Sequence, residues 1–210
     1  MDYIFFFLTV FAAIFSILNP VGAVPILVSL TEGYTLKERD TVIRISIAVA
    51  GGMILGFMFL GTYIFDIFGI DIYDFQIAGG ILVFKVAFDM LQGRTSNTKI
   101  TAAEEEESKQ RSAIGVAPIG TPLLAGPGSI TTAIIYYNER SGVYVDKILV
   151  IIAILLVLAT SFLVLRYSLG IFKRIGNTGS LIVSRIMGLL IASVGVGFIV
   201  AGIAGVMTLF

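Results

Sequence analysis

Five stretches of the chain, residues 3–31, 45–65, 112–138, 148–165 and 186–210, contain no Asp, Glu, Lys or Arg, giving uncharged runs of 29, 21, 27, 18 and 25 residues. A helix crosses the hydrocarbon core of a bilayer in about 20 apolar residues, so runs of this length and number specify an integral membrane protein. A sixth segment, Phe75 to Leu91, is apolar except for Gln76, Lys85 and Asp89 and counts as a further span. The expected fold is all-α, with six transmembrane helices near 4–30, 43–65, 75–91, 114–137, 147–166 and 182–208. Little chain is left for a soluble domain. The first run follows an acidic start and is longer than a signal-peptide core, so it is expected to be retained as a helix.

Composition removes several function classes. Charged residues make up 13% of the chain, against about 25% in soluble domains. Net charge is zero and no segment clusters basic residues, which argues against nucleic acid as a partner. With no Cys and no His, the chain has no thiolate, no disulfide, no Cys/His metal site and no histidine general base. No metal or cofactor beyond a coupling ion is expected, and the chain is not expected to be an enzyme.

The basic residues orient the spans. If the six alternate, one side collects Lys37, Arg39, Arg44, Arg94, Lys99, Lys109, Arg111, Arg166, Lys173, Arg174 and Arg185, while the other has Arg140 and Lys147. Positive residues stay cytoplasmic. The expectation is therefore a multi-pass protein of the cell (plasma) membrane, embedded in the lipid bilayer, with both termini outside. Tyr3, Tyr63, Tyr73, Tyr136, Tyr137 and Tyr144 fall near the outer ends, where an interfacial belt would lie.

Gln76-Ile-Ala-Gly-Gly-Ile-Leu resembles Arg185-Ile-Met-Gly-Leu-Leu-Ile, and Asn19-Pro20-Val21-Gly22 faces Gly126-Pro127-Gly128-Ser129, at offsets of 109 and 107 residues. Similar offsets suggest a duplicated unit. Three spans per unit is an odd number, so the second copy enters the membrane inverted. This is a 3+3 inverted repeat, a common plan of secondary transporters. The units are 1–91 and 113–210, joined by a cytoplasmic linker at 92–112. Glu104 to Glu107 in that linker read as a solvated run.

The prolines then mark a site. Proline lacks an N–H and clashes with the carbonyl four residues back, so Pro20 and Pro127 break spans one and four, in both cases close to the centre of the uncharged run and hence to the bilayer midplane. Unwound backbone survives there only if packed in protein or lining a wet cavity. Each break ends one half-helix, whose carbonyls attract cations, and starts another, whose N–H groups attract anions. The candidate substrate-binding residues are Ser16, Asn19, Pro20, Val21, Gly22, Thr121, Gly126, Pro127, Gly128, Ser129 and Thr132. No charged side chain lies among them, so a small zwitterion fits best. The plainer alternative is that the prolines are packing kinks and the hydroxyls bond their own helices.

At these positions the sequence also resembles a known family. FAAIFSILNPVGAVPILVSLTEG, QIAGGILVFKVAFDMLQG, PLLAGPGSITT and RIMGLLIASVGVGFI are similar to the signature stretches of the MarC/SnatA family of six-span membrane proteins. The resemblance implies secondary transport of small neutral amino acids such as glycine, alanine and serine, driven by a proton or sodium gradient. It also implies that Asn19 to Gly22 and Gly126 to Thr132 are the paired helix breaks. Lys85 departs from the apolar residue such a pattern leads one to expect.

Lys85 and Asp89 are one helical turn apart inside the third span. They read as an intrahelical ion pair and, because intramembrane charges are costly, as candidates for ion coupling. Gly52 with Gly56, and Ser193, Gly197, Ala201 and Gly205, form small faces expected to pack inside the bundle, with a homo-oligomer left open. GPGS has no following Lys and lies in a span, so no nucleotide partner is expected. The competing function is a cation channel or ion exchanger using the same carbonyls.

Overall fold

The computed structural model describes residues 3–93, 115–138 and 144–208, apart from the side chains at 62, 66, 115–118 and 122. All regular elements among them are helices: α1 (Tyr3–Leu18), α2 (Pro20–Leu30), α3 (Leu36–Phe68), α4 (Ile72–Leu91), α5 (Gly115–Leu124, with π-helical hydrogen bonding), α6 (Pro127–Asn138), α7 (Tyr144–Arg166) and α8 (Ser168–Met207). The linker with Glu104 to Glu107, and Arg140, lie outside the described residues. Among those described, four segments are long and apolar enough to cross a membrane: Tyr3–Leu30, Leu36–Gly61, Tyr144–Arg166 and Ser168–Met207. Helix α4 is also 20 residues long, but Asp74, Lys85 and Asp89 put three charges into every 18-residue stretch of it.

Local chemistry explains where the helices begin and end. Thr35 opens α3 with a capping box: its hydroxyl accepts the Glu38 N–H at 3.3 Å, while Glu38 Oε2 accepts the Thr35 N–H at 2.8 Å. Two orphan donors are satisfied reciprocally, so the helix takes in charged residues 37–44 that hydropathy assigns to a connection. Gly69 closes α3 with φ 62°, and Asp71 caps α4 by accepting the Tyr73 N–H at 2.8 Å. Only Tyr167 separates α7 from α8. The stretch 167–181, left between the fifth and sixth expected spans, is instead mostly helical, kinked at Gly176 (φ 61°, ψ −170°). Lys173 and Arg174 mark polar surroundings there, not loss of helix.

The core is apolar and shared by seven elements, through Ile14 of α1, Leu27 of α2, Ile54 and Met58 of α3, Ile119 of α5, Ile135 of α6, Ile154 of α7 and Phe198 of α8. The outer faces are apolar as well, as with Leu155, Leu163, Leu189 and Ile203, a pattern suited to hydrocarbon surroundings and unlike that of a soluble domain.

Helices α4 and α8 pack antiparallel at close range. A Cβ on Gly80 would lie 2.7 Å from the Gly195 carbonyl, and one on Gly195 would lie 2.9 Å from that of Gly80. Gly188 meets the Ala87 carbonyl at 3.1 Å, and Gly202 meets that of Tyr73 at 2.7 Å. Spacing of seven residues (188, 195, 202 against 87, 80, 73) is a coiled-coil-like seam. Most of the small faces expected inside the bundle lie elsewhere: nothing stands within 4 Å of a Cβ on Gly52, Gly56 or Gly197, and Ser193 and Ala201 are exposed. Gly205 alone of that ladder is covered, by the Tyr73 ring. The tyrosine belt is likewise narrower than expected. Tyr3, Tyr63 and Tyr144 are exposed, but Tyr136 is buried between Phe6 and Phe198.

Candidate functional site

Between α1 and α2, Asn19 takes a left-handed backbone (φ 44°, ψ 57°), the one positive φ outside glycine among the described residues. Asn tolerates this region because its short amide bonds locally. Here Asn19 Oδ1 accepts the Gly22 N–H at 3.1 Å, capping α2, and Nδ2 donates to Ser184 Oγ of α8 at 3.1 Å. A Cβ on Gly22 would collide with the Asn19 amide and the Ser184 hydroxyl. Gly22 therefore makes room for the cap as well as for any ligand. Pro20 has no N–H to give Ser16, whose carbonyl loses its intrahelical partner. The Ser16 hydroxyl donates to Met187 Sδ at 3.4 Å.

Ala125 and Gly126 separate α5 from α6. The wide turn of α5 closes with the Ala125 N–H on the Gly120 carbonyl at 3.2 Å, and Gly126 O accepts the Ser129 and Ile130 N–H groups at 3.0 and 3.2 Å. Ser129 Oγ donates to the Leu124 carbonyl at 2.9 Å. The two breaks are thus satisfied in opposite senses. At the first, a side chain caps the outgoing helix and leaves a carbonyl of the incoming one. At the second, a hydroxyl serves the incoming helix, while the start of α6 keeps its positive dipole end.

Both breaks face one cavity of about 580 Å³. Asn19, Gly22, Gly126, Pro127, Gly128 and Ser129 line it, opposite Asn177, Thr178, Ser180 and Ser184 of α8, with Ile17, Val86 and Met90 among the apolar wall residues; no charged residue is on the wall. Of the eleven binding candidates, Ser16, Pro20, Val21, Thr121 and Thr132 do not line it. Ser16 turns to Met187, and Thr132 is fully buried with no hydrogen bond to Oγ1 among the described residues. The α8 wall is the part that sequence reading missed. Its signal was present: Asn177, Ser180, Leu181 and Ser184 follow i, i+3, i+4, i+7, one face of a helix.

Lys85 and Asp89 lie off the cavity wall. Lys85 is exposed and Asp89 half-buried, and the expected intrahelical ion pair is not formed. A Lys preceding its acid by four residues is the weaker of the two orientations, and such pairs contribute only about 0.2–0.5 kcal/mol.

The cavity is one-sided. It reaches Ser29, Leu30 and Gly93 at the ends of α2 and α4. Toward the opposite end of the bundle, Tyr136 of α6 stands edge-on to Phe6 of α1 (6.4 Å, 78°) and to Phe198 of α8 (5.3 Å, 70°). These rings join α1, α6 and α8, three of the elements around the breaks.

Comparison with known proteins places the chain among integral membrane proteins. The profile of MarC family integral membrane proteins matches residues 4–207. The UPF0056 membrane protein MJ1677 of Methanocaldococcus jannaschii is 43% identical over 200 residues, covering 95% of this chain and 97% of that protein. The UPF0056 membrane protein YvbG of Bacillus subtilis is 37% identical, with 95% of each chain covered. YhcE of Escherichia coli, a UPF0056 membrane protein, is 35% identical over 93% of this chain and 91% of its own. No solved structure matches.

Proposed function

This chain belongs to the MarC family of integral membrane proteins, and from that premise we propose that it is a secondary transporter of small neutral amino acids of the glycine, alanine and serine type, working by alternating access. The observation that carries the reading is the central cavity, faced by two helix breaks and walled by amides, hydroxyls and apolar groups without one charged side chain. A ligand with net charge would meet no counter-charge there. A zwitterion brings its own charges, its carboxylate suiting the positive end of α6 and its ammonium the hydroxyl oxygens of Ser180 and Ser184 on the cavity wall. The glycines at 22, 126 and 128 let a small ligand approach the backbone closely.

Six crossings arranged as a 3+3 inverted repeat account for the matching order of elements, with α1–α2, α3 and α4 answered by α5–α6, α7 and α8. In this reading the breaks lie at the bilayer midplane and the termini outside the cell membrane. The cavity then opens to the cytoplasm and the rings of Phe6, Tyr136 and Phe198 shut the outer side. Rocking one repeat against the other would exchange the open and closed ends. A ring cluster closing one end counts against a continuous channel.

The driving ion is sodium or a proton. Sodium suits the cavity better, since carbonyls and hydroxyls can hold it without a titratable group. Proton coupling through Asp89, the candidate acid of the third span, would use a side chain that lies off the wall. Purified protein in liposomes, given labelled glycine or alanine, should accumulate it under an inward sodium gradient. Accumulation driven by a proton gradient alone, and lost in Asp89→Asn, would transfer coupling to Asp89. Sodium flux without amino acid would favour the ion exchanger. No amino acid movement under either gradient would refute transport.

A further inference from the structure

Beside the central cavity, and sharing Pro25, Ser29 and Asn177 with it, is a second cavity of about 500 Å³ between the end of α2, the start of α3 and the kinked part of α8. Arg39 lines it. Arg39 is only 6% exposed, and its Nε and Nη2 are shielded from solvent with no hydrogen-bond partner among the described residues. The acids on either side of it are engaged elsewhere. Glu38 Oε2 takes the N–H and hydroxyl of Thr35, both at 2.8 Å. Asp40 meets Arg44 at 2.7 Å and Arg166 at 3.6 Å.

The backbone adds to this positive charge. Arg39 is the fourth residue of α3, near the positive end of that helix dipole, and the second helical piece of α8 begins next to the cavity at Asn177. An enclosed guanidinium at a helix N-terminus, forming no ion pair among the described residues, is an uncompensated charge, which is costly unless an anion pairs with it. Its planar fork matches a carboxylate in two parallel hydrogen bonds. Glu32 lines the same cavity and is exposed, so an opposite charge stands ready for an ammonium group.

We propose that this second cavity is a carboxylate subsite on the path between the central cavity and the protein surface, with Arg39 receiving the carboxylate of a zwitterion and Glu32 facing its ammonium. The identity of the zwitterion rests on the transporter reading; the pairing of Arg39 with a carboxylate does not. A ligand leaving the breaks past Ser29 and Asn177 enters the subsite directly, and one arriving from the surface meets Arg39 before it is stripped of water in the uncharged cavity.

Two measurements test this. In the first, thermal unfolding of the purified protein is followed in sodium acetate, sodium phosphate or sodium chloride at matched ionic strength, for wild type, Arg39→Gln, Arg39→Lys and the exposed control Lys37→Gln. Acetate should raise the unfolding temperature of wild type and Lys37→Gln, raise that of Arg39→Lys less, and leave Arg39→Gln unchanged. Equal stabilisation of wild type and Arg39→Gln by acetate overturns the subsite. Stabilisation by phosphate alone overturns the carboxylate assignment in favour of a phosphate group, free or on a lipid. In the second, counterflow of labelled alanine in liposomes is compared with equilibrium alanine binding. Arg39→Gln should lose about tenfold in kcat/KM with binding changed less than twofold. Binding that falls in parallel with transport would make Arg39 a support of the central cavity, and overturns a separate subsite. Wild type that neither binds nor moves an amino acid refutes the transporter reading, while the acetate series still decides the role of Arg39.

Discussion

Asn19 holds the first helix break together in three ways that can be separated by substitution. Its amide oxygen caps α2 through Gly22, its amide nitrogen reaches Ser184 on α8, and its backbone occupies the left-handed region at φ 44°. Replacing an Asn N-cap by Ala costs about 1 kcal/mol, and by Gly only a few tenths. A left-handed backbone costs a residue with a Cβ about 1–2 kcal/mol, and glycine nothing. An interhelical hydrogen bond in a membrane protein averages about 0.6 kcal/mol. Asn19 itself already bears the left-handed cost, so Asn19→Ala should lose the cap and the interhelical bond, about 1.6 kcal/mol, whereas Asn19→Gly loses about 1 kcal/mol of cap and bond but regains the left-handed cost and should come out near neutral.

The inversion of the usual helix ranking is the diagnostic, because in a helix interior Ala is favoured over Gly by about 1 kcal/mol. Reversible unfolding in mixed micelles gives both values, and a double-mutant cycle with Ser184→Ala isolates the α2–α8 bond. Its coupling term should be about 0.6 kcal/mol. If Asn19→Gly is as damaging as Asn19→Ala, the left-handed turn is not what fixes Asn at this position. A coupling term of zero removes Ser184 from the break. Because Ser184 also lines the cavity, the same cycle read by alanine binding tells whether the bond shapes the ligand site or only the fold.

Two further predictions concern residues placed differently from expectation. Gly195→Ala pushes a methyl group against backbone atoms of Gly80 and Phe84, each 2.9 Å from the new Cβ. It should destabilise by about 1–3 kcal/mol, whereas Gly197→Ala, with nothing within 4 Å, should be neutral or stabilising by up to about 1 kcal/mol; thermal unfolding of the two side by side checks the seam. Lys85→Leu removes from α4 an exposed cation with no ion pair among the described residues, exchanging a residue type costly in apolar surroundings for a favourable one. Stability should hold or rise and transport should stay within about twofold, and a loss above tenfold in liposome uptake would restore Lys85 as a coupling residue.

The parts of this molecule that could be read from sequence are those where one residue type forces one outcome. Uncharged runs of 18 residues or more leave few alternatives to apolar helices, and Pro20 and Pro127 flag the backbone around six residues that do face the cavity. The α8 wall was hidden because charge and helicity were treated as exclusive. Lys173, Arg174 and Arg185 mark a polar environment, yet nothing near them except Gly176 interrupts the backbone ladder, so the helix runs on from Ser168 with Asn177 and Ser184 on its inner face. The packing seam was hidden for a related reason. A four-residue ladder such as Ser193, Gly197 and Ala201 is visible in any helix, but which stripe is buried depends on the partner helix, and α4 offers Gly80 and Ala87 to residues seven apart. Pairing of Lys85 with Asp89 failed because local spacing permits contact without supplying enough energy to hold it. Arg39 belongs to a third category. As one of eleven basic residues that the sequence assigns to one side it was counted for orientation, and only burial beside a cavity, with Glu38 and Asp40 already engaged, separates it from the other described basic residues of that set.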